Sequence, residues 1–285
     1  LQFQGKIAPF GMKLSEIWVY PVKGLAGIPL TIAVLERRGI EHDRRWMVVD
    51  EAGVFLSQRE HAQMALGKPR LGPDALYLTA PGMPELRVPF HQPALATVQA
   101  TIWDDVVEAE MIQLSANEWL SDWLGLPCRL VSLPDTSLRL IPPKYQRNGD
   151  DHVSLADGYP FLIISQSSLD DLNARMEQPL PMNRFRPNFV VTGTLPFEED
   201  TFAEFTLGEA VFAGVKPCAR CNVTTIDQET TEAGKEPLRT LSGYRRLGSK
   251  VLFGENLLLV SGTTVRLGDA LKVLTRKPSP FSLAG

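Results

Sequence analysis

The chain has 285 residues, 44% hydrophobic and 22% charged, with a formal net charge of -4. This is a globular composition, long enough for one large or two ordinary domains and a sizeable core. Its mild acidity argues against nucleic acid as the main partner, no apolar run approaches the roughly 18 residues of a membrane span, and three cysteines make no disulfide framework.

No signal peptide is visible, and the free cysteines point to a reducing compartment, the cytoplasm. Leu1-Gln2-Phe3-Gln4-Gly5 looks like the scar of a protease-cleaved tag, so residues 1–11 are expected to be tag and linker, with Met12 as the native start. The 22 Gly and 22 Pro punctuate many short segments, which suits a β-rich fold. From Met12 the pattern predicts a strand over Leu14 to Tyr20, stopped by Pro21, and then a glycine-punctuated loop, Val22 to Gly27, carrying Lys23. Ile28, Leu30, Ile32 and Val34 alternate as one half-buried strand. A charged corner, Glu41 to Trp46 with Arg44 in it, leads to Met47-Val48-Val49, a turn at Asp50 to Gly53 and a return through Val54-Phe55-Leu56. A further hairpin joins Leu76–Leu78 to Leu86–Val88, and Thr101–Trp103 and Val106–Ile112 add strands. Ser115-Ala116-Asn117-Glu118 has the form of a capping box for a helix ending at Gly125, with Trp119, Leu120, Trp123 and Leu124 on its packing face.

Residues Pro134 to Leu155 form a long polar connection, read as the domain boundary. His152 within it has no partner at metal spacing and reads as solvated. A turn at Asp157-Gly158-Tyr159 precedes a buried strand, Phe161–Ile164, and Ser167 to Asp170 caps a helix. Arg184-Phe185-Arg186-Pro187-Asn188 leads into the strand Phe189–Val191. A hairpin about Gly208-Glu209 delivers the chain to Val215-Lys216-Pro217-Cys218-Ala219-Arg220-Cys221, and the β-branched run Val223 to Ile226 predicts strand, tight turn, strand, with both thiols at the turn. Pro237 to Arg246 predicts a short helix. Thr264–Leu267 and Ala270–Leu274 predict a closing hairpin. Many short strands and few helices in the second half favour a closed or nearly closed β-barrel.

Cys218 and Cys221 with Arg220 between them are the chemically distinctive group. A thiolate is a soft ligand and a nucleophile, and a neighbouring guanidinium favours its charged form. Structural zinc would need two further soft or imidazole ligands, and Cys128 and the four histidines are scattered singly. A thioredoxin-like pair should open a helix, which Asn-Val-Thr-Thr-Ile does not favour; two buried, inert cysteines are the remaining reading. Lys23, Arg44, Arg186, Asn188, Arg220, Asn256 and the Gly158-Tyr159 turn lie at strand ends or loops. Cations and free backbone N–H groups there suit a phosphate-bearing ligand beside the thiolate.

The runs Phe185–Asn188, Lys216–Cys221, Thr224–Asp227, Glu236–Leu238, Phe253–Asn256 and Val265–Asp269 resemble the MOSC-domain family. Tyr20–Lys23 and Asp43–Trp46 resemble its N-terminal domain. Within the family the pattern is similar to the mitochondrial amidoxime-reducing components and their bacterial counterparts, from about Met12 to Leu274. The resemblance implies a mainly β fold with some α (α+β): a MOSC N-terminal β-barrel-like domain over 12–133, a MOSC β-barrel domain over 134–275 and a tail over 276–285. It implies a molybdenum cofactor, one pyranopterin dithiolene on Mo, with Cys221 as the protein ligand and catalytic residue and Cys218 non-ligating. Lys23, Arg44, Gly158, Tyr159, Arg186, Asn188, Ala219, Arg220 and Asn256 fall on its cofactor-contacting positions. Ala219 and Gly24 stand where relatives often carry serine, which leaves backbone contacts there. The implied reaction is two-electron reduction of N–OH in amidoximes, hydroxylamines or N-hydroxylated purines to N–H plus water. Some bacterial relatives carry a C-terminal ferredoxin-type domain; if this chain is full length, the electrons are expected from a separate flavin, haem or iron–sulfur protein, and the alternative is that such a domain has been removed. Asp227 is the acid nearest the motif in sequence. The alternatives are a non-catalytic cofactor carrier or sulfur-transfer module, and an interaction module in which the cysteines are structural.

Overall fold

The protein is described by a computed structural model over residues 11–281. The expected tag at 1–11, Gly11 apart, and residues 282–285 of the expected tail lie outside the described residues. A nine-stranded sheet dominates. It runs Ile28–Leu30, Lys13–Val19, Phe189–Thr192, Phe161–Ser165, Lys250–Ser261, Ala210–Ala219, Phe202–Leu207, Leu271–Arg276, with Arg246–Leu247 beside Lys250–Ser261. Its pairings are antiparallel except Phe161–Ser165 with Phe189–Thr192.

The far ends of this order meet. Leu14 N–H donates to the Asp269 carbonyl, Gly268 N–H to that of Leu14, and Leu271 N–H to that of Met12. The sheet thus closes on itself, which removes its open edges. The closing stave, Lys13–Val19, comes from the first half of the chain, so the barrel takes strands from both sides of residue 134. Inward-facing phenylalanines fill it: the Phe212 ring lies 5.3 Å from Phe189, 5.4 Å from Phe161 and 5.8 Å from Phe205. All four are fully buried.

The rest of the first half holds a four-stranded sheet (Trp46–Asp50, Cys128–Ser132, Asp105–Met111, Ala96–Ile102), a three-stranded meander (Lys68–Leu71, Ala75–Thr79, Leu86–Pro89) and the strands Ile32–Glu36 and Gly39–Ile40, which Thr264–Arg266 joins. The helix Leu114–Leu124 packs Trp119, Leu120 and Leu124 against Val48, Leu78 and Leu130. The mainly β, α+β expectation holds. Among the described residues no helix is long and apolar enough to cross a membrane.

Five local expectations need correction. The Val223–Ile226 run is not a strand but a tight 3-10 turn over Asn222–Thr225. The hydroxyls of Thr224 and Thr225 donate back to the carbonyls of Cys221 and Asn222, and such local bonds compete with a ladder. Ser115 caps nothing: the helix starts at Leu114, and the Ser115 hydroxyl accepts from the Gln113 side chain. The next helix, Gln166–Asn173, is capped by Ser165, whose oxygen accepts from Ser168 N–H, rather than from within Ser167–Asp170. The Ile28–Val34 alternation breaks at Thr31: Ile32 and Val34 face outward, and Ala33 and Leu35 are buried. Thr264–Arg266 does not pair with Leu271–Arg276 but crosses to Ile32–Glu36, while Leu271–Arg276 pairs with Phe202–Leu207.

Candidate functional site

One cleft, with about 980 Å³ of non-protein space including the open solvent at its mouth, lies between first-half loops and the mouth of the barrel. It gathers Lys23, Arg44, Gly158, Tyr159, Arg186, Asn188, Ala219, Arg220, Cys221 and Asn256, every site residue expected from the sequence, together with Cys218.

The cysteine segment leaves the barrel where the Ala210–Ala219 strand ends, against Lys250–Ser261. Arg220 is tied down twice. Its backbone N–H donates to the Val251 carbonyl, and its Nη2 donates to that of Phe185 at 2.6 Å. Its Nη1 donates to Cys218 Sγ at 3.0 Å. The Cys221 thiol has no hydrogen-bond partner among the described residues and lines the cleft, half-buried.

A second group surrounds Tyr20, which sequence reasoning left in a strand. The Arg44 and Arg186 guanidiniums lie over its ring, 4.2 and 4.4 Å from the centroid. The Tyr20 hydroxyl donates to the Pro187 carbonyl at 3.0 Å, and burial pushes its pKa up to about 12. Asp43, 1% exposed, accepts from Tyr20 N–H and from Arg44 Nη1. Asn188 spends its amide inside the protein: Oδ1 accepts from Leu162 N–H and Arg44, and Nδ2 donates to the Trp18 carbonyl. Arg44 and Arg186 both hold left-handed backbone, φ 48° and 54°, which a non-glycine residue adopts at a cost of about 1 kcal/mol. Arg44 has its carboxylate. Arg186 has neither an ion pair nor a side-chain hydrogen bond among the described residues, and burial brings its pKa down to about 10.

A third group was missed except for its lysine. Lys23 Nζ, 8% exposed, donates to Asp157 Oδ1 at 2.5 Å, and Trp103 Nε1 donates to the same oxygen at 3.2 Å. Burial lowers the Lys23 pKa, and Asp157 opposes that shift. Burial would raise the Asp157 pKa, but the Lys23 charge and both hydrogen bonds outweigh it and hold the carboxyl well below the usual range. Buried Arg139 fixes the backbone underneath by donating to the carbonyls of Ser154, Ala156 and Asp157. Phe55, Arg59 and Trp103 line the rim. The missed residues stand far from the motifs in sequence; only Asp157, in a turn already noted, left a readable signal.

Among the described residues three buried polar atoms of the cleft lining find no partner: Tyr159 Oη, Arg220 Nε and Arg184 Nε. Unpaired buried polar groups are costly and mark a place where a ligand supplies the missing bonds. Asp227, the acid considered from sequence, lies outside the cleft lining. The backbone N–H groups of Thr230 and Glu229, with Arg184, hold its pKa down, so it is a poor proton donor. Among the described residues no three His, Cys, Asp or Glu side chains converge. Cys128 belongs to the first-half core, where burial raises its thiol pKa. Among the described residues Cys221 therefore has no clustered co-ligands for a metal, which usually takes several.

Residues 150–272 match the family profile of the MOSC domain, and residues 11–127 that of the MOSC N-terminal beta barrel domain. Human mitochondrial amidoxime-reducing component 1 is 30% identical over 92% of this chain and 82% of its own length. Human mitochondrial amidoxime reducing component 2 is 33% identical over 81% and 72%. The molybdenum cofactor sulfurase of Danio rerio is 31% identical over 85% of this chain and 31% of that much longer one.

Proposed function

The chain belongs to the MOSC-domain family, and from that premise we propose a molybdenum-cofactor-dependent oxidoreductase that reduces N-hydroxylated compounds with electrons from a separate protein. The observation that carries this reading is the coexistence, in one cleft, of an unpartnered cysteine thiol, an arginine without a carboxylate and three orphaned donors. A dianionic phosphate satisfies Arg186 alongside Arg44. A polar ring system would supply hydrogen-bond partners beside Tyr159, Arg220 and Arg184. Cys221 would be the protein ligand of a metal that carries its own sulfur ligands. The residues fit the cofactor.

When bound, the cofactor supplies two-electron chemistry: an N-hydroxylated amine with two electrons and two protons gives the N–H compound and water. The chain's residues bind, orient and insulate. The Tyr20–Asp43–Asn188 group fixes Arg44, and Arg220 ties the thiol loop to Phe185 and Val251. The Lys23–Asp157 pair holds a charge balance on the first-half side. Free thiols suit the reducing cytoplasm.

One observation favours the alternative of a cofactor carrier or sulfur-transfer module. Arg220 Nη1 donates to Cys218 and not to Cys221, and a sulfurase is among the relatives. Assaying reduction of an aryl amidoxime with an artificial electron donor, beside molybdenum content, separates the readings. Turnover that scales with bound molybdenum supports the reductase; stoichiometric molybdenum without turnover supports the carrier.

A further inference from the structure

Trp103 occupies the first of the two residues joining the strands Ala96–Ile102 and Asp105–Met111, whose ends pair Ile102 with Asp105. Its φ of 55° puts an indole where such a turn favours glycine. The ring is nonetheless fixed from three sides. Its Nε1 donates to Asp157, Phe55 meets it edge-on at 4.8 Å, and the Arg59 guanidinium lies 4.1 Å over it. Trp103 is still 41% exposed at the cleft rim. Arg59 makes no ion pair and no side-chain hydrogen bond among the described residues, so the donors of its guanidinium are unspent.

We propose that Trp103 and Arg59 form a recognition plate that selects planar, conjugated N-hydroxylated substrates (aryl amidoximes and N-hydroxylated bases) over aliphatic hydroxylamines. This rests on the reductase reading and adds its substrate preference. A flat, delocalised substrate uses both parts: stacking on the indole–guanidinium surface and acceptors for the free N–H donors. An aliphatic hydroxylamine offers no plane. Arg59 also gives the plate a direction. An amidoxime is neutral near pH 7, whereas the amidine it yields is a cation. The unpaired guanidinium therefore tolerates the substrate and disfavours the product, which helps product leave.

The test uses the cofactor-loaded protein as wild type, Trp103→Phe, Trp103→Ala and Arg59→Gln, with molybdenum content and melting temperature measured for each. Benzamidoxime binding is titrated without reductant. The kcat/KM values for benzamidoxime and for an N-alkylhydroxylamine are compared, and benzamidine is tested as product inhibitor. Trp103→Ala is expected to weaken benzamidoxime binding and lower the aryl-to-alkyl ratio of kcat/KM by about five- to tenfold through KM, with Trp103→Phe recovering most of it. Arg59→Gln is expected to make benzamidine inhibit at least about threefold more tightly. An unchanged ratio, equal losses on both substrates, or unchanged benzamidine inhibition overturns the plate. If wild type reduces neither substrate the reductase reading fails by itself, and the binding titration still decides whether the plate exists.

Discussion

Arg220 Nη1 donates to Cys218 Sγ at 3.0 Å, while Cys221, three residues on, keeps its thiol free of any hydrogen bond among the described residues. A guanidinium so placed occupies the Cys218 sulfur, which does not face a ligand unencumbered. The two cysteines are therefore not equivalent.

Cys221→Ala is expected to lose or alter bound molybdenum and to abolish reduction. Cys218→Ala is expected to keep near-stoichiometric molybdenum with activity reduced only a few-fold, because Arg220 is still held by Phe185 and Val251. Metal analysis for molybdenum and zinc on both variants, from a host that makes molybdopterin, decides. Zinc lost equally from both would return the pair to a structural role.

Arg186 leads to a test on the protein without cofactor. Its guanidinium is half-buried beside a second cation, Arg44, and among the described residues no carboxylate pairs with it. Replacing an unanswered charge with an apolar side chain of similar length is neutral or stabilising, by about 1 kcal/mol here. Arg186→Met should therefore raise the melting temperature of the cofactor-free protein by a few degrees or leave it unchanged, while binding cofactor poorly. A marked drop in melting temperature would show that the arginine serves the fold.

The chemistry-bearing motifs were legible because each is a short run: Phe185–Asn188, Lys216–Cys221, Tyr20–Lys23. What holds them was not. Lys23 meets Asp157 across 134 residues, and Tyr20 meets Pro187 across 167. Such pairs exist only once Lys13–Val19 closes the barrel, and no local spacing encodes that closure. The same limit explains the crossing of Thr264–Arg266 to Ile32–Glu36, which two adjacent β-like runs disguise as a hairpin. The Val223–Ile226 error was of another kind: β-branched residues spoke for a strand, and two threonine hydroxyls bonding backward decided otherwise.

Phe212 is the test of the barrel interior. It touches the rings of Phe161, Phe189 and Phe205 and is fully buried. Phe212→Ala leaves a cavity that closed sheet walls cannot collapse into, so it should cost about 3–5 kcal/mol in chemical denaturation. Phe212→Leu should cost clearly less. Equal costs for the two would mean that the lost ring contacts, and not the cavity volume, set the cost.

Glu255 gives the pH dependence. It is fully buried at the end of the barrel, with Lys277 Nζ donating to Oε1 at 2.5 Å and Oε2 without a partner. Burial pushes its pKa up to about 8, against the pull of Lys277, and buried Asp200 and Glu199 push the same way. The folded state therefore keeps a proton that the unfolded chain, with an ordinary carboxyl near 4.5, has already released. The stabilisation is complete below pH about 4.5 and is lost as pH rises toward about 8, at up to about 1.4 kcal/mol per pH unit. Glu255→Gln removes the titration yet still accepts from Lys277, which keeps its second bond to the Gly214 carbonyl. Denaturation across pH 5 to 8 should find the variant gaining steadily on wild type. A difference constant over that range would mean that Lys277 keeps Glu255 ionised throughout.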